Sequence, residues 1–96
     1  MAEQEGAVGG LIESTGVSVA PTTEDARQTC ALGTGYAGAR RPWFVMRFTG
    51  ADLTQLPDQL RTRLMSGRVH EAVVGACVPE KETPFSGYAV AVMLYP

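Results

Sequence analysis

Ala89-Val90-Ala91-Val92-Met93-Leu94 is a run of six residues that are apolar at every position. A strand with one face in water alternates apolar and polar residues, whereas a strand covered on both faces reads as a continuous apolar run. The run therefore predicts a strand that is covered on both faces. It requires either a three-layer arrangement within the chain or a partner that supplies the second cover.

A second strand is predicted over residues 69–78, just before this one, which itself is predicted to span 88–95. The intervening residues 79–87 are rich in proline, glycine and charged side chains, which is typical of a turn. The two strands are therefore expected to form an antiparallel hairpin. A third extended segment is predicted over 43–48, where aromatic and branched residues follow Pro42.

Two helices are predicted between these strands and the N-terminus. The first is capped by Thr22 or Thr23 and is expected to run to about Leu32, where Gly33 stops it. The second is indicated by leucines at helical spacing and is expected to stop at Gly67. These leucines are Leu53, Leu56, Leu60 and Leu64.

The elements together predict an α/β (α+β) domain of one small sheet that ends in an antiparallel hairpin, with one or two helices packed on it. This architecture is consistent with a fragment of an α-β-α sandwich. The domain is expected to occupy residues 22–96 of the 96-residue chain. Residues 1–21 are expected to be poorly ordered because glycines interrupt their apolar pattern, with Val17 and Val19 in at most one short edge strand.

Charge and targeting signals exclude some classes of protein. The formal net charge is −2, which is too small to indicate a polyanion partner by itself. The start of the chain is acidic where a signal peptide needs a basic region, and no apolar run reaches the ~20 residues of a membrane span. No signal peptide and no membrane span are therefore predicted.

Residues 33–38 read Gly-Thr-Gly-Tyr-Ala-Gly and match the GxGxxG pattern of dinucleotide sites. That motif works only after a strand and before a helix N-terminus, whose amides hold the pyrophosphate. Here a predicted helix precedes it and a predicted strand follows. We therefore interpret it as a helix-to-strand loop and expect no cofactor.

No complete catalytic or metal site is visible in the sequence. His70 is the single histidine, and strand alternation places it on the face opposite Cys77. One histidine and two distant cysteines do not supply the converging ligands that a metal needs. Cys30 and Cys77 can form one disulfide or remain two buried thiols.

A candidate binding surface surrounds Trp43. Arg40, Arg41 and Arg47 flank this tryptophan, which can act as a stacking platform or simply anchor the start of a strand. The middle of the chain is basic, with six arginines between Arg40 and Arg68 against two aspartates. These arginines can meet phosphate, although solvated arginines on a strand and a helix are the commoner case.

The C-terminal part of the chain resembles the bacterial CAP superfamily, the SCP-like domain of cysteine-rich secretory proteins. In that family a helix reading roughly H-R-A-N-I-L-N-P leads into a strand reading R-F-T-E-I-G-V-G-V-A. Arg61, Arg68, Glu71 and Gly75 match this pattern, and residues 87–96 are similar to the closing strand with its Y-x-P-like end.

The resemblance implies the sheet of an α-β-α sandwich and a secreted protein that binds lipids, sterols or other proteins. It carries over no site residue. Leu60 stands where the family has a histidine that lines a metal-binding cavity, and the remaining cavity residues come from an N-terminal half that this chain does not resemble.

The sequence favours a non-catalytic binding module, with a protein partner or self-association through the Trp43–Arg47 region or the exposed side of the final strand. A small apolar ligand is compatible with it. One alternative is a small enzyme that uses His70 with Glu71 or Cys77. Another, less favoured, is a nucleic-acid binder that uses Arg40, Arg41, Arg47, Arg61 and Arg63. Secretion follows if the resemblance holds, and a cytoplasmic location otherwise.

Overall fold

The computed structural model describes residues 2–49, 55–78 and 89–96. Within these ranges the elements are α1 (Ala2–Glu13), β1 (Ser18–Val19), α2 (Glu24–Leu32), β2 (Phe44–Thr49), α3 (Asp58–Leu64), β3 (Glu71–Cys77) and β4 (Ala89–Tyr95). The predicted α/β (α+β) class is confirmed, and the described residues contain three helices where one or two were expected. Leu53 and the turn predicted over 79–87 lie outside the described residues.

The four strands form one mixed sheet in the order β1-β3-β4-β2. β4 lies in its interior, antiparallel both to β3 and to β2, so the predicted hairpin pairing is confirmed. Val92, for example, faces Val74 on one side and Met46 on the other. β1 runs parallel to β3 and forms one edge, and β2 forms the other.

Both faces of the sheet are covered by helices of the same chain. α1 and α3 pack their apolar side chains on one face, where Ile12 and Leu60 are fully buried. α2 packs on the other face, with Ala26 against Val73 and Met93. Residues 90–94 of β4 are at most 2% exposed. The final strand therefore has no exposed side, and the interaction surface predicted there is wrong because helices of the chain itself provide both covers.

α1 differs from the expectation that residues 1–21 are poorly ordered. Its inner face buries Val8 and Ile12, and this burial offsets the helix cost of its glycines. Gly6 and Gly10 lie on the exposed side, where a glycine loses least packing. The helix thus depends on tertiary contacts that local sequence preference does not reveal. No helix among the described residues is long and apolar enough to cross a membrane.

α2 lies unusually close to the sheet. Thr23 caps it by accepting the Ala26 N–H over 3.1 Å, and Gly33 ends it in the left-handed conformation at φ 80°. Under the helix, a Cβ added to Gly75 would stand 2.3 Å from the Ala26 carbonyl. This approach brings Cys30 of α2 next to Cys77 of β3, and the two form a disulfide.

α3 is shorter than predicted. It begins after Pro57 and ends at Leu64, three residues before Gly67. Leu60 and Leu64 are buried, and Leu56 packs on the same cluster from outside the helix. The leucine stripe therefore marks the buried face correctly, but Leu56 reaches the core from non-helical chain.

Candidate functional site

One end of the sheet gathers most of the side chains that the sequence singles out. The segment 33–43 connects α2 to β2, and its Arg40 lies at this end of the sheet, on Tyr95. The Trp43 N–H donates to the Leu94 carbonyl over 2.8 Å, and the His70 N–H donates to the Tyr95 carbonyl over 3.0 Å. These bonds hold the starts of β2 and β3 on either side of the end of β4.

Arg40 covers the face of Tyr95. Its guanidinium carbon lies 3.9 Å from the ring centroid, and the same group forms an ion pair with Glu71. Tyr95 is only 7% exposed, whereas the Arg40 side chain is 60% exposed. A guanidinium over an aromatic face is a favourable cation–π contact. Arg40 therefore shields the ring while remaining largely in water.

A pocket of about 230 Å³ opens beside this contact, on the α2 side of the sheet. Its floor is apolar and its rim is charged. The floor consists of Ala20, Ala26, Val73, Met93 and Tyr95. The rim carries Asp25, Arg40 and Glu71. We call this cavity the Tyr95 pocket.

The charges of the rim act on the Tyr95 phenol. Burial raises the pKa of Tyr95, the nearby Arg40 charge lowers it, and the carboxylates of Glu71 and Asp25 raise it. The net direction is upward. The hydroxyl is therefore protonated at neutral pH and can both donate and accept a hydrogen bond.

Trp43 belongs to a second cluster on the β2 side. Its side chain is 38% exposed, and the Arg63 guanidinium lies 5.2 Å from its ring centroid and 4.9 Å from that of Phe44. The exposed aromatic surface at the start of β2 is thus shared with an arginine of α3. Arg40, which is near Trp43 in the sequence, contacts the ring of Tyr95.

Arg47 has a structural role within the chain. Its Nε and Nη2 donate to the Thr29 carbonyl over 3.0 and 2.9 Å, and Nη2 also donates to the Gly35 carbonyl. The Thr29 hydroxyl in turn accepts the Ala37 N–H over 2.8 Å. These bonds tie the last turn of α2 and the glycine loop to β2. The loop follows a helix and precedes a strand, as the sequence predicted.

The arginines of the nucleic-acid hypothesis are mostly engaged inside the chain. Arg40 and Arg61 pair with carboxylates, Arg47 with carbonyl oxygens, and Arg63 with aromatic rings. Arg41 is exposed. On binding phosphate, these arginines would exchange their present partners for phosphate oxygens.

His70 is exposed and directly precedes β3. Cys77 lies at the opposite end of that strand, about 20 Å away at the usual rise per residue, and its sulfur is in the disulfide. Cys77 is therefore not available as the nucleophile that the enzyme hypothesis considered. Glu71, the other candidate, forms its ion pair with Arg40. Across the described ranges, no three His, Cys, Asp or Glu side chains are grouped to hold a metal ion.

Sequence reasoning missed the Tyr95 pocket. Its members come from the segment after β1, α2, the loop, β3 and β4, and no local pattern joins them. One signal was present, because a tyrosine at the end of an otherwise apolar strand keeps its hydroxyl near the surface. The partner of that ring could not be read from the sequence.

Comparison with known proteins gives no relative. No protein-family model matches the chain, and neither a curated protein nor a solved structure is significantly similar to it.

Proposed function

We propose that the protein is a non-catalytic interaction module that associates through the outer edge of β2, with a second copy of the same chain as its partner. The observation that carries the proposal is that the outer side of β2 is unpaired among the described residues. β2 is an edge of the sheet, and in the part of the chain that the structure describes, no strand pairs with its outer side. Its first five residues are half-buried, and Trp43 before it is exposed.

Edge strands with unpaired backbone groups are templates for pairing with another chain. Natural edges are commonly protected by proline, charged side chains, a bulge or shortness. Between Phe44 and Thr49, β2 has no proline, lysine or bulge, and its one charged residue, Arg47, bonds to carbonyl oxygens of α2 and the glycine loop. Its pairing with β4 continues over six residues without a break in register. The edge is therefore regular enough to accept a further strand by main-chain hydrogen bonds.

The sequence of β2 favours a second copy as the added strand. In a two-fold antiparallel pair centred on Met46, Phe44 of each copy faces Phe48 of the other, and Val45 faces Arg47. Phe44, Met46 and Phe48 all lie on the sheet face that packs against α1 and α3. Aromatic cross-strand pairs stabilise a sheet. The pairing would join two apolar faces into one continuous surface.

The resemblance to the CAP superfamily is part of the proposal, as a degenerate and secreted relative. Two features support it. The helix–sheet–helix layering is the architecture that the resemblance implies, and the Cys30–Cys77 disulfide suits an oxidising compartment.

The test is the solution mass at low micromolar concentration, combined with cross-linking. We expect twice the mass of one chain for the wild type. Met46→Cys should form a disulfide-linked dimer on oxidation, because opposite residues on paired strands have Cα atoms about 4.5–5.5 Å apart, within disulfide reach.

Thr49→Cys is the matched control for the register. In the same pairing residue 49 faces residue 43, so the two thiols introduced by this substitution do not meet and little linked dimer should form. A monomeric wild type contradicts the proposal. Equal cross-linking of both variants contradicts the register and leaves only non-specific contact.

A further inference from the structure

The Tyr95 pocket has the features of a ligand-binding site, and it is separate from the β2 edge. It combines a buried aromatic ring, an apolar floor and a charged rim in one cavity of about 230 Å³. Sites for drug-sized ligands usually enclose roughly 300–1,000 Å³. The cavity therefore suits a ligand of about the size of one amino-acid side chain.

The net charge of the rim determines whether the pocket favours a cation or an anion. Asp25 and Glu71 bring two negative charges and Arg40 brings one positive charge. The N-terminus of α2 adds about +0.5 through the helix dipole, yet Glu24 also lies in this first turn. The balance is negative even with Arg40 in place, and it is strongly negative without it. The pocket therefore favours a cation.

Arg40 shows how a cation is held there. Its guanidinium lies 3.9 Å from the centroid of the Tyr95 ring and pairs with Glu71. Both interactions are those by which proteins recognise guanidinium and ammonium groups. Arg40 therefore occupies the site from within the chain. It covers the Tyr95 ring and the Glu71 carboxylate that an external cation would contact.

The Arg40 side chain can leave the Tyr95 ring at little energetic cost. Arg40 belongs to the irregular segment between α2 and β2, and its side chain is 60% exposed. Exposed ion pairs contribute little to stability because water and salt compete with them. Removing Arg40 from the ring would leave the floor of the pocket unchanged, since Ala26, Val73 and Met93 are held by helix and strand.

We propose that the Tyr95 pocket binds a small organic cation with a guanidinium head and a short aliphatic body, and that Arg40 competes with this ligand from within the chain. The head stacks on Tyr95 and pairs with Glu71 and Asp25. The body lies on the apolar floor. Binding displaces Arg40, so the apparent affinity is set by the fraction of molecules in which Arg40 is away from the ring.

The experiment titrates the full chain with butylguanidinium and follows binding by NMR chemical shifts. Arg40→Ala removes the internal competitor and should tighten binding by about fivefold or more, since the competent state becomes fully populated. Glu71→Gln in the Arg40→Ala background should weaken binding again. Shifts should concentrate on Tyr95, Val73 and Met93.

Two controls keep the result specific. Arg41→Ala removes the same charge from the neighbouring exposed residue and should leave the affinity near that of the wild type. Butylurea has the same shape without the charge and should bind much more weakly than butylguanidinium. Equal tightening by both arginine variants, equal binding of butylurea, or no saturable binding to Arg40→Ala would each overturn the proposal. The chain mass is measured in parallel, so failure here is distinguishable from failure of the β2 association.

Discussion

Gly75 shows how one residue sets the distance between two layers. It lies on the face of β3 beneath α2, where an added Cβ would stand 2.3 Å from the carbonyl carbon and oxygen of Ala26 and 2.6 Å from the Arg27 nitrogen. These are backbone atoms, so no side-chain rotation relieves the contact. The glycine is required because nothing larger fits between the helix and the sheet.

We expect Gly75→Ala to destabilise the protein by about 3 kcal/mol, the upper part of the usual range for overpacking. The measurement is urea unfolding at neutral pH. Gly10→Ala is the matched control, because Gly10 is exposed in α1 with no atom near the added Cβ. There the change should stabilise by about 0.5–1 kcal/mol through helix preference. Similar effects of the two substitutions would contradict the close approach.

The sequence indicated that Gly75 is special only through a family pattern. Its physical reason needs the position of α2, which local patterns do not contain. Tyr95 and Glu71 show the same limit as Gly75. The last strand was predicted, but the contacts of the Tyr95 ring and the Glu71 carboxylate with Arg40 were not. Residue identities thus suggested which segments form strands and helices, and left the partners across the fold open.

At the scale of elements, local signals performed well where they were strong. The cap of α2, its glycine stop and the apolar pattern of β4 each depend on neighbouring residues, and these elements were predicted within one or two residues. α1 was missed because its stability comes from burial against distant strands. A buried carboxylate of α1, that of Glu5, adds hydrogen bonds to α2 and β3.

Glu5 joins three elements. It is 6% exposed and accepts two hydrogen bonds from Arg27 of α2, at 3.0 and 2.9 Å, and one from the Ala76 N–H of β3 at 2.9 Å. β1 pairs with β3 only beside Glu71 and Ala72. Further along this edge, the Glu5 carboxylate occupies the place of a missing strand and satisfies a backbone donor.

This arrangement predicts a pH dependence of stability. The hydrogen bond from Arg27 is the main cause that holds the pKa of Glu5 below its usual value of 4.5. A lowered folded-state pKa means that the stabilisation is present above pH 4.5 and is lost as the pH falls through the folded-state pKa. Glu5→Gln should cost about 2 kcal/mol at pH 7, typical of a bond to a charged group.

The cost of Glu5→Gln should shrink as the pH is lowered, because the wild type loses the same charge there. Urea unfolding midpoints at pH 7 and pH 3 measure the difference. Glu3→Gln is the control, since Glu3 is an exposed carboxylate of the same helix. A cost that is unchanged between the two pH values would show that the charge of Glu5 does not matter.

At the scale of the whole molecule, the two cysteines close a large part of the chain into a loop. Cys30 and Cys77 are separated by 47 residues, and both are nearly buried between α2 and the sheet. The sequence allowed this bond without requiring it, because two free thiols bury equally well. Which alternative holds depends on the distance between α2 and β3, and Gly75 sets that distance.

We expect reduction of this bond to destabilise the protein by about 4 kcal/mol, from the entropy that a loop of this length regains in the unfolded state. For a domain of this size that corresponds to a melting temperature lower by about 15 °C or more. The measurement is a thermal melt with and without reductant, beside thiol counting by intact mass. The Cys30→Ala/Cys77→Ala double variant should melt like the reduced wild type in both conditions.

If oxidised and reduced protein melt together while thiol counts differ, the bond does not constrain the unfolded chain. Because a small domain that depends on a disulfide needs an oxidising compartment to keep it, a large difference also favours the secreted, CAP-like proposal over a cytoplasmic one.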